Sequence, residues 1–208
     1  MDTNLEQAFT NIFNTRAWHS NESISGIGSE LEQTKTIIKE LPFLFQKYDI
    51  KSILDAPCGD YNWMQHVDKT NIEYTGGDIV APLIEANKTK YPDVNFMHLD
   101  LTKSELPQVD LIIARDVFVH MTYNTIVSAL ENIIKSNCKY LLTTSFTGIN
   151  SNRDLSHDGD WRPLNLLIAP FRFKPIYLIN EDCTEGTNNQ HNDKCLVLFE
   201  VSRLYIGS

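Results

Sequence analysis

The chain has 208 residues, 42% of them apolar, enough for one domain with a full core. Eighteen basic residues against 27 acidic ones leave a net charge of −9, which opposes a polyanion, and no basic stripe offsets it, so no nucleic-acid partner is expected. No apolar run approaches the ~20 residues of a membrane span, and Met1-Asp2-Thr3-Asn4 lacks a signal peptide's basic start and apolar middle, so a cytoplasmic protein with no membrane partner is expected. Cys58, Cys138, Cys183 and Cys195 form no C-x-x-C pair, which argues against a zinc site or a redox motif. Reduced thiols are the expectation, with a Cys183–Cys195 bridge across a hairpin as the weaker alternative.

Residues 3–28 are polar and show no clean period. Arg16, Trp18, His19, Ser25, Gly26, Gly28 and Ser29 gather glycine, aromatic and donor residues there, which suits a lid over a ligand, the alternative being a loosely packed amino-terminal arm. Ser29-Glu30-Leu31-Glu32 has the form of a capping box ahead of Leu31, Ile37, Ile38 and Leu41, predicting a helix over 29–41 that Pro42 interrupts. Leu44, Phe45 and Tyr48 then supply a second short apolar turn.

The run Ser52-Ile53-Leu54-Asp55 reads as a buried parallel strand that Pro57 and Gly59 stop. In an open parallel sheet the ligand lies beyond the carboxyl ends of the strands, which places Asp55, Pro57 and the backbone of Gly59 at a cleft. An ordinary strand-to-helix connection is the alternative. A short helix over 62–67 follows. Two further runs, 73–79 and 94–101, also end in acids, Asp78 followed by Ile79 and Asp100 followed by Leu101. Pro82 suits the first position of a helix carrying Leu83, Ile84 and Asn87. A fourth strand, 109–114, leads to Arg115-Asp116. Thr122 then caps a helix whose Ile126, Val127, Leu130, Ile133 and Ile134 share one face, and 139–146 is a fifth strand. This alternation predicts an α/β fold with a doubly wound, mostly parallel sheet. Residues 147–174 lack a long amphipathic period, and a stretch of that length without structure is uncommon unless it is functional. We read it as a substrate loop over the same cleft, with Trp161-Arg162-Pro163-Leu164-Asn165 offering a flat face beside a cation; a helix within 164–169 is the alternative. Strands over 175–179 and 195–204 close the chain.

Residues 51 to about 146 resemble the class I S-adenosylmethionine-dependent methyltransferases, whose first motif is commonly Asp, any residue, a small residue, Cys, Gly, as in Asp55-Ala56-Pro57-Cys58-Gly59. The resemblance implies a Rossmann-like sheet closed by an antiparallel hairpin, a single domain over 1–208, and S-adenosylmethionine (SAM) as cofactor with S-adenosylhomocysteine (SAH) as product. It also implies that the loop at Gly59 wraps the methionyl end, that Asp78 with Ile79 holds the ribose hydroxyls, and that Asp100 with Leu101 meets the adenine; Arg115 completes that set. Pro57 and Tyr61 stand where many members have glycine. A dinucleotide-binding domain is disfavoured, because a pyrophosphate needs the successive glycines of G-x-G-x-x-G and only Gly59 is present.

Methylating a hydroxyl requires alignment and removal of a proton. His120, four residues past Asp116, is the candidate base, the alternative being a packed core histidine. Asp116 could itself be the base or contact the methionyl amine. The Asn or Asp followed by two prolines of DNA-amine methylating members is replaced here by Ala114-Arg115-Asp116-Val117, which disfavours that class. Asp154 with Asn150 and Asn152 only faintly echoes a metal-dependent member, so no metal is expected. The reading is a small-molecule O-methyltransferase, and the compact size with the loop at Trp161 resembles methyltransferases of bacterial capsule and surface-polysaccharide pathways. An N-methyltransferase or a catalytically silent SAM-binding subunit are the alternatives. Trp18, Trp161 and Arg162 are the candidate acceptor contacts. Arg115, Arg153 and Arg162 near the cleft predict an anionic, phosphorylated acceptor, unless each pairs with Asp116, Asp154 or Asp160. A homodimer is carried as an expectation to which no residue is assigned.

Overall fold

The computed structural model describes residues 5–205. Among them seven strands form one sheet in the order β3-β2-β1-β4-β5-β7-β6, with β1 Ser52–Asp55, β2 Glu73–Asp78, β3 Asn95–His98, β4 Leu111–Ala114, β5 Tyr140–Phe146, β6 Tyr177–Asn180 and β7 Lys194–Glu200. The first five run parallel, and β7 lies antiparallel between β5 and β6. The chain order reverses between β1 and β4, so a crevice opens beyond their carboxyl ends. The register sets Asp55 beside both Gly76 and Ile113, which brings the ends of β1, β2 and β4 to one edge.

Successive strand residues face opposite sides of a sheet, and a sheet covered on both faces needs apolar residues at both parities. Ile53, Leu111, Ile113, Leu142, Leu196 and Leu198 pack on one side against Ile37, Leu41, Leu44 and Phe45 of α2 (Leu31–Lys47). Leu54, Ile112, Leu141, Val197 and Phe199 pack on the other against Ile126, Ala129, Leu130 and Ile133 of α4 (Tyr123–Lys135). Thr122 caps α4, its side chain accepting from the Thr125 N–H, and Pro82 sits in the first turn of α3 (Ala81–Lys90). No helix among the described residues is long and apolar enough to cross a membrane.

Several expectations change. The arm holds a helix, α1 (Leu5–Thr15), whose Leu5, Phe9, Ile12 and Phe13 recur at helical spacing and pack against the α3 side of the cleft. Its polar residues had hidden that stripe. The capping box does not form. Glu30 is the cap residue but its side chain makes no capping bond, accepting the Ser20 hydroxyl instead, and Glu22 of the arm accepts the Leu31 N–H at 2.8 Å. Pro42 lies inside α2 rather than ending it, because Leu41, Leu44 and Phe45 remain buried on a continuous face and outweigh one lost hydrogen bond. The helix expected over 62–67 is one 3-10 turn, Met64–His66. No helix forms within 164–169. Residues 147–174 are irregular yet anchored, with Leu155, Leu164, Leu166 and Phe173 in the core. All four cysteines are buried free thiols.

Candidate active site

Two adjoining cavities occupy the carboxyl edge of the sheet. The first is lined by the loop Ala56–Asp60, by Gly77, Asp78, Ile79, Val80, Leu83, Leu99 and Leu101, and by Arg115, Asp116 and His120, under a roof of Leu5, Phe9, Phe13 and Trp18. Gly59 is in the left-handed region at φ +53, and a Cβ there would stand 2.0 Å from the Ser25 hydroxyl. The arm therefore closes directly on this loop. Asp60 holds it, accepting from the Ser23 hydroxyl at 2.8 Å and the Ile24 N–H at 2.9 Å.

Asp78 presents a carboxylate at the end of β2. One oxygen accepts the Gly59 N–H at 3.1 Å and the other the Val80 N–H at 2.9 Å, so the group is fixed while each oxygen keeps lone-pair capacity. Burial pushes its pKa up to about 6 against those bonds. The other two acids do not reach the cleft. Asp55 is buried behind the loop and accepts the Tyr74 hydroxyl at 2.8 Å, with burial raising it to about 7. Asp100 folds back onto its own turn, accepting the Thr102 N–H at 2.9 Å and pairing with Lys103 at 3.0 Å. A short polar side chain two residues before a free N–H closes an Asx turn, and that local bond is stronger than reaching outward. Pro57, Ile79 and Leu101 do line the cavity, so that part of it is bounded by apolar side chains.

The second cavity, about 310 Å³, is lined by Trp18, Ser25, Gly26, Ile27, Gly28, Asp116, Val119, His120, Phe146, Trp161, Glu185, Gly186, His191 and Lys194. It shares Trp18, Ser25, Asp116 and His120 with the first. Asp116, Glu185 and Lys194 of its lining belong to a charge network that continues behind it to Arg115 and Glu181. Arg115 donates to Glu181 at 2.6 and 3.2 Å, to the Gly28 carbonyl at 2.8 Å, and pairs with Asp116 at 3.1 Å. Lys194 pairs with Asp116 at 2.8 Å and with Glu185 at 3.4 Å. Asp116 has left-handed backbone at φ +54 and takes a further bond from the Thr144 hydroxyl at 3.0 Å. Despite burial, the neighbouring Arg115 and Lys194 hold its carboxyl far below the usual range. Asp116 is thus a fixed anion and a poor proton acceptor, which removes it as the base.

His120 ends the 3-10 turn Phe118–His120. Its Nδ1 lies 2.9 Å from the Asp160 carbonyl. A carbonyl can only accept, so we assign the ring proton to Nδ1 and the lone pair to Nε2. Burial lowers its pKa, favouring the neutral ring. Trp18 packs 5.3 Å from it, centre to centre.

The arginine reading fails on geometry. Arg162 is fully buried and donates to the backbone carbonyls of Phe118 at 2.6 Å, Met121 at 2.8 Å and Arg153 at 3.3 Å. It ties the 147–174 loop to the turn that carries His120 and reaches neither cavity. Arg153 is exposed and lines neither, and Arg115 is consumed by carboxylates. None pairs as expected with Asp154 or Asp160, although Arg115 does pair with Asp116. Trp161, 43% exposed, lies over the second cavity. Sequence reasoning missed Phe146, Glu181, Glu185, His191 and Lys194. The only hint was a charge at each end of the last two apolar runs, Glu181 and Lys194.

No family model matches the chain, and no curated protein matches it in sequence. Solved structures do. Human N-acetylserotonin methyltransferase in complex with SAM superposes with a TM-score of 0.62 at 14% identity, covering 95% of this chain and 60% of that one. The N-methyltransferase NodS from Bradyrhizobium japonicum WM9 in complex with SAH gives 0.62 at 14%, covering 95% and 98%. Magnesium protoporphyrin IX methyltransferase from Synechocystis PCC 6803 with bound SAM gives 0.62 at 12%, covering 94% and 96%. At such identities the likeness is one of fold, and the fold is the Rossmann-like methyltransferase fold.

Proposed function

We propose that the chain is a SAM-dependent methyltransferase of a small-molecule acceptor, with His120 as the proton acceptor. The observation that carries it is the placement of His120 at the junction of two cavities, one lined by Asp78 and the Gly59 loop and the other by Trp161 and Glu185. The first cavity fits the cofactor on its own chemistry. Asp78 has one backbone N–H on each oxygen and can take two vicinal hydroxyls, Gly59 leaves no side chain in the way, and Ile79, Val80, Leu83, Leu99 and Leu101 suit a flat base. Bound there, SAM supplies an electrophilic methyl whose C–S electron pair stays with sulfur as the acceptor's lone pair takes the carbon. The chain's part is alignment, exclusion of water by the α1 roof, and acceptance of the acceptor's proton at His120 Nε2.

A silent SAM-binding subunit would have no use for a base at that junction, so the enzyme reading is preferred. The finer reading, O-methylation in surface-polysaccharide biosynthesis, rests on compact size and on residues 161–165, of which only Trp161 borders the second cavity, and a hydroxyl or an amine would serve equally as nucleophile. Titration calorimetry with SAH tests the proposal. SAH should bind, NAD should not, and Asp78→Ala should weaken SAH by roughly 10-fold or more, the loss of a charge-assisted hydrogen bond of about 1.5–3 kcal/mol. Unchanged affinity in that variant would refute the assignment.

A further inference from the structure

The second cavity is specific about charge. Of the charged network, Lys194 and two carboxylates, Asp116 and Glu185, line it, a net single negative charge, while Arg115 and Glu181 close the network behind them. Both cations are used up by these partners and by the Gly28 carbonyl. No guanidinium or ammonium is left to grip a phosphate. The carboxylates that line the cavity are not used up in the same way: Asp116 and Glu185 each remain about one-quarter exposed there.

The walls add a second, independent observation. Phe146, Trp161 and His191 form a cluster of near-perpendicular rings, with centroids 6.0 Å apart for Phe146 and Trp161 at 88°, 5.4 Å for Phe146 and His191 at 79°, and 5.2 Å for Trp161 and His191 at 66°. Trp18 and His120 pack together on the part of the lining shared with the first cavity. Ring faces carry negative quadrupole density, and an aromatic enclosure beside a carboxylate attracts an organic cation while repelling an anion. Trp161 is 43% exposed in a chain whose other tryptophans are better covered, as a ring waiting for a ligand face would be. At about 310 Å³ the cavity is at the low end of the roughly 300–1,000 Å³ typical of small-molecule sites, so the ligand is compact.

From this we infer that the acceptor is a compact molecule bearing a basic amine and no phosphate, held between the Trp161 ring cluster and the Glu185–Asp116 carboxylates. The inference rests on the methyltransferase reading for the word acceptor; the cavity's preference for cations stands on the walls and floor alone. If the amine is itself methylated, its proton must first leave to His120 Nε2 or solvent, after which its lone pair forms the new C–N bond.

The test is a matched set of probes, benzyltrimethylammonium, benzylamine, benzyl alcohol and benzyl phosphate, titrated by calorimetry and tryptophan quenching into the full chain with and without saturating SAH. The two cations should bind roughly 3–30-fold tighter than the alcohol, and the phosphate should not bind. Trp161→Ala, a change at an exposed ring, should remove most of that preference, and Glu185→Lys should shift it toward the phosphate; melting temperatures confirm that both variants fold. Benzyl phosphate binding as well as the amine, no cation binding, or a preference unchanged in both variants would overturn the inference. SAH bound without any cation preference defeats this inference alone, whereas a cation preference without SAH binding defeats the methyltransferase reading and leaves the charge selectivity standing.

Discussion

The two cavities are built by different means. At the first, the Asp78 carboxylate is held by backbone N–H groups, of Val80 two residues on and of Gly59 in the loop after the neighbouring β1. At the second, the charge network is assembled from Arg115 and Asp116 after β4, Glu181 after β6, Glu185 in the following loop and Lys194 at the start of β7, with partners 66 and 78 residues apart. Local bonds to backbone make a rigid single-purpose edge. A distant network of charges instead makes the edge depend on the whole sheet closing correctly, so its members bear on stability as much as on binding. The sharpest way to expose that difference is to remove one member. Arg115→Leu strips Glu181 and Asp116 of one of the two cations they share inside the protein and should destabilise the fold by about 3–5 kcal/mol, read by denaturant unfolding. A loss below about 1 kcal/mol would mean that the network is not closed as described.

Asp55 carries the comparison to the back of the first cavity, where the sign reverses. Its folded pKa is raised to about 7 by burial, above the usual carboxyl value near 4, so the fold favours the protonated acid. The associated stability is fully present below about pH 4 and is lost as the pH rises through about 7. Asp55→Asn keeps an acceptor for the Tyr74 hydroxyl and cannot ionise. The variant should match the parent at pH 4 and exceed it at pH 8 by up to about 4 kcal/mol. Equal slopes of stability against pH in the two proteins would count against a buried, protonated Asp55.

These contrasts also explain what could be read from the sequence. The parallel strands and α4 were legible because each declares itself within about ten residues, as an apolar run or as Thr122 ahead of a one-sided stripe. Asp78 was legible because it ends β2, the strand paired with β1, which runs into the Gly59 loop. Asp55 and Asp100 stood at equivalent strand ends and misled, since what takes their carboxylates is a hydroxyl on β2 and an Asx turn, and neither is visible in the pattern of acids. Arg162 misled for the opposite reason. A cation in an irregular loop looks exposed, but this one replaces the missing secondary structure by donating to three carbonyls. The charge network at the second cavity depends on contacts made across the sheet, and α1 was hidden because Phe9 is its only buried residue.

The junction of the cavities is where a smaller loss of free energy has a visible kinetic effect. His120→Ala should lower kcat by roughly 100-fold, about 2.7 kcal/mol, with SAH affinity nearly intact, because its imidazole borders the cofactor cavity without being needed to hold Asp78. In the parent, burial lowers the His120 pKa, so the acid limb of the kcat profile should fall below the ordinary imidazole value. An active variant with an unaltered profile would return the proton to solvent.

The least costly break separates the arm from the sheet. Asp60 joins the two, with one oxygen on the Ser23 hydroxyl and the other on the Ile24 N–H, while the loop it stands on is held independently by Asp78. Asp60→Ala removes two short half-buried hydrogen bonds, worth about 0.5–1.5 kcal/mol each, and a long one from the Ser25 hydroxyl at 3.5 Å. Global stability should fall by only about 1–2 kcal/mol, with the consequence concentrated in the arm. Amide hydrogen exchange reads this directly: the Ile24 N–H should lose protection, whereas the strand amides of β1 and β4, covered on both faces, should keep theirs. With the arm released, Ser25 no longer presses on Gly59 and the roof of Phe9 and Trp18 opens, so SAH should dissociate faster at nearly unchanged association rate. If β4 amides lose protection together with Ile24, the arm belongs to the same cooperative unit as the sheet, and the two edges are less independent than their construction implies.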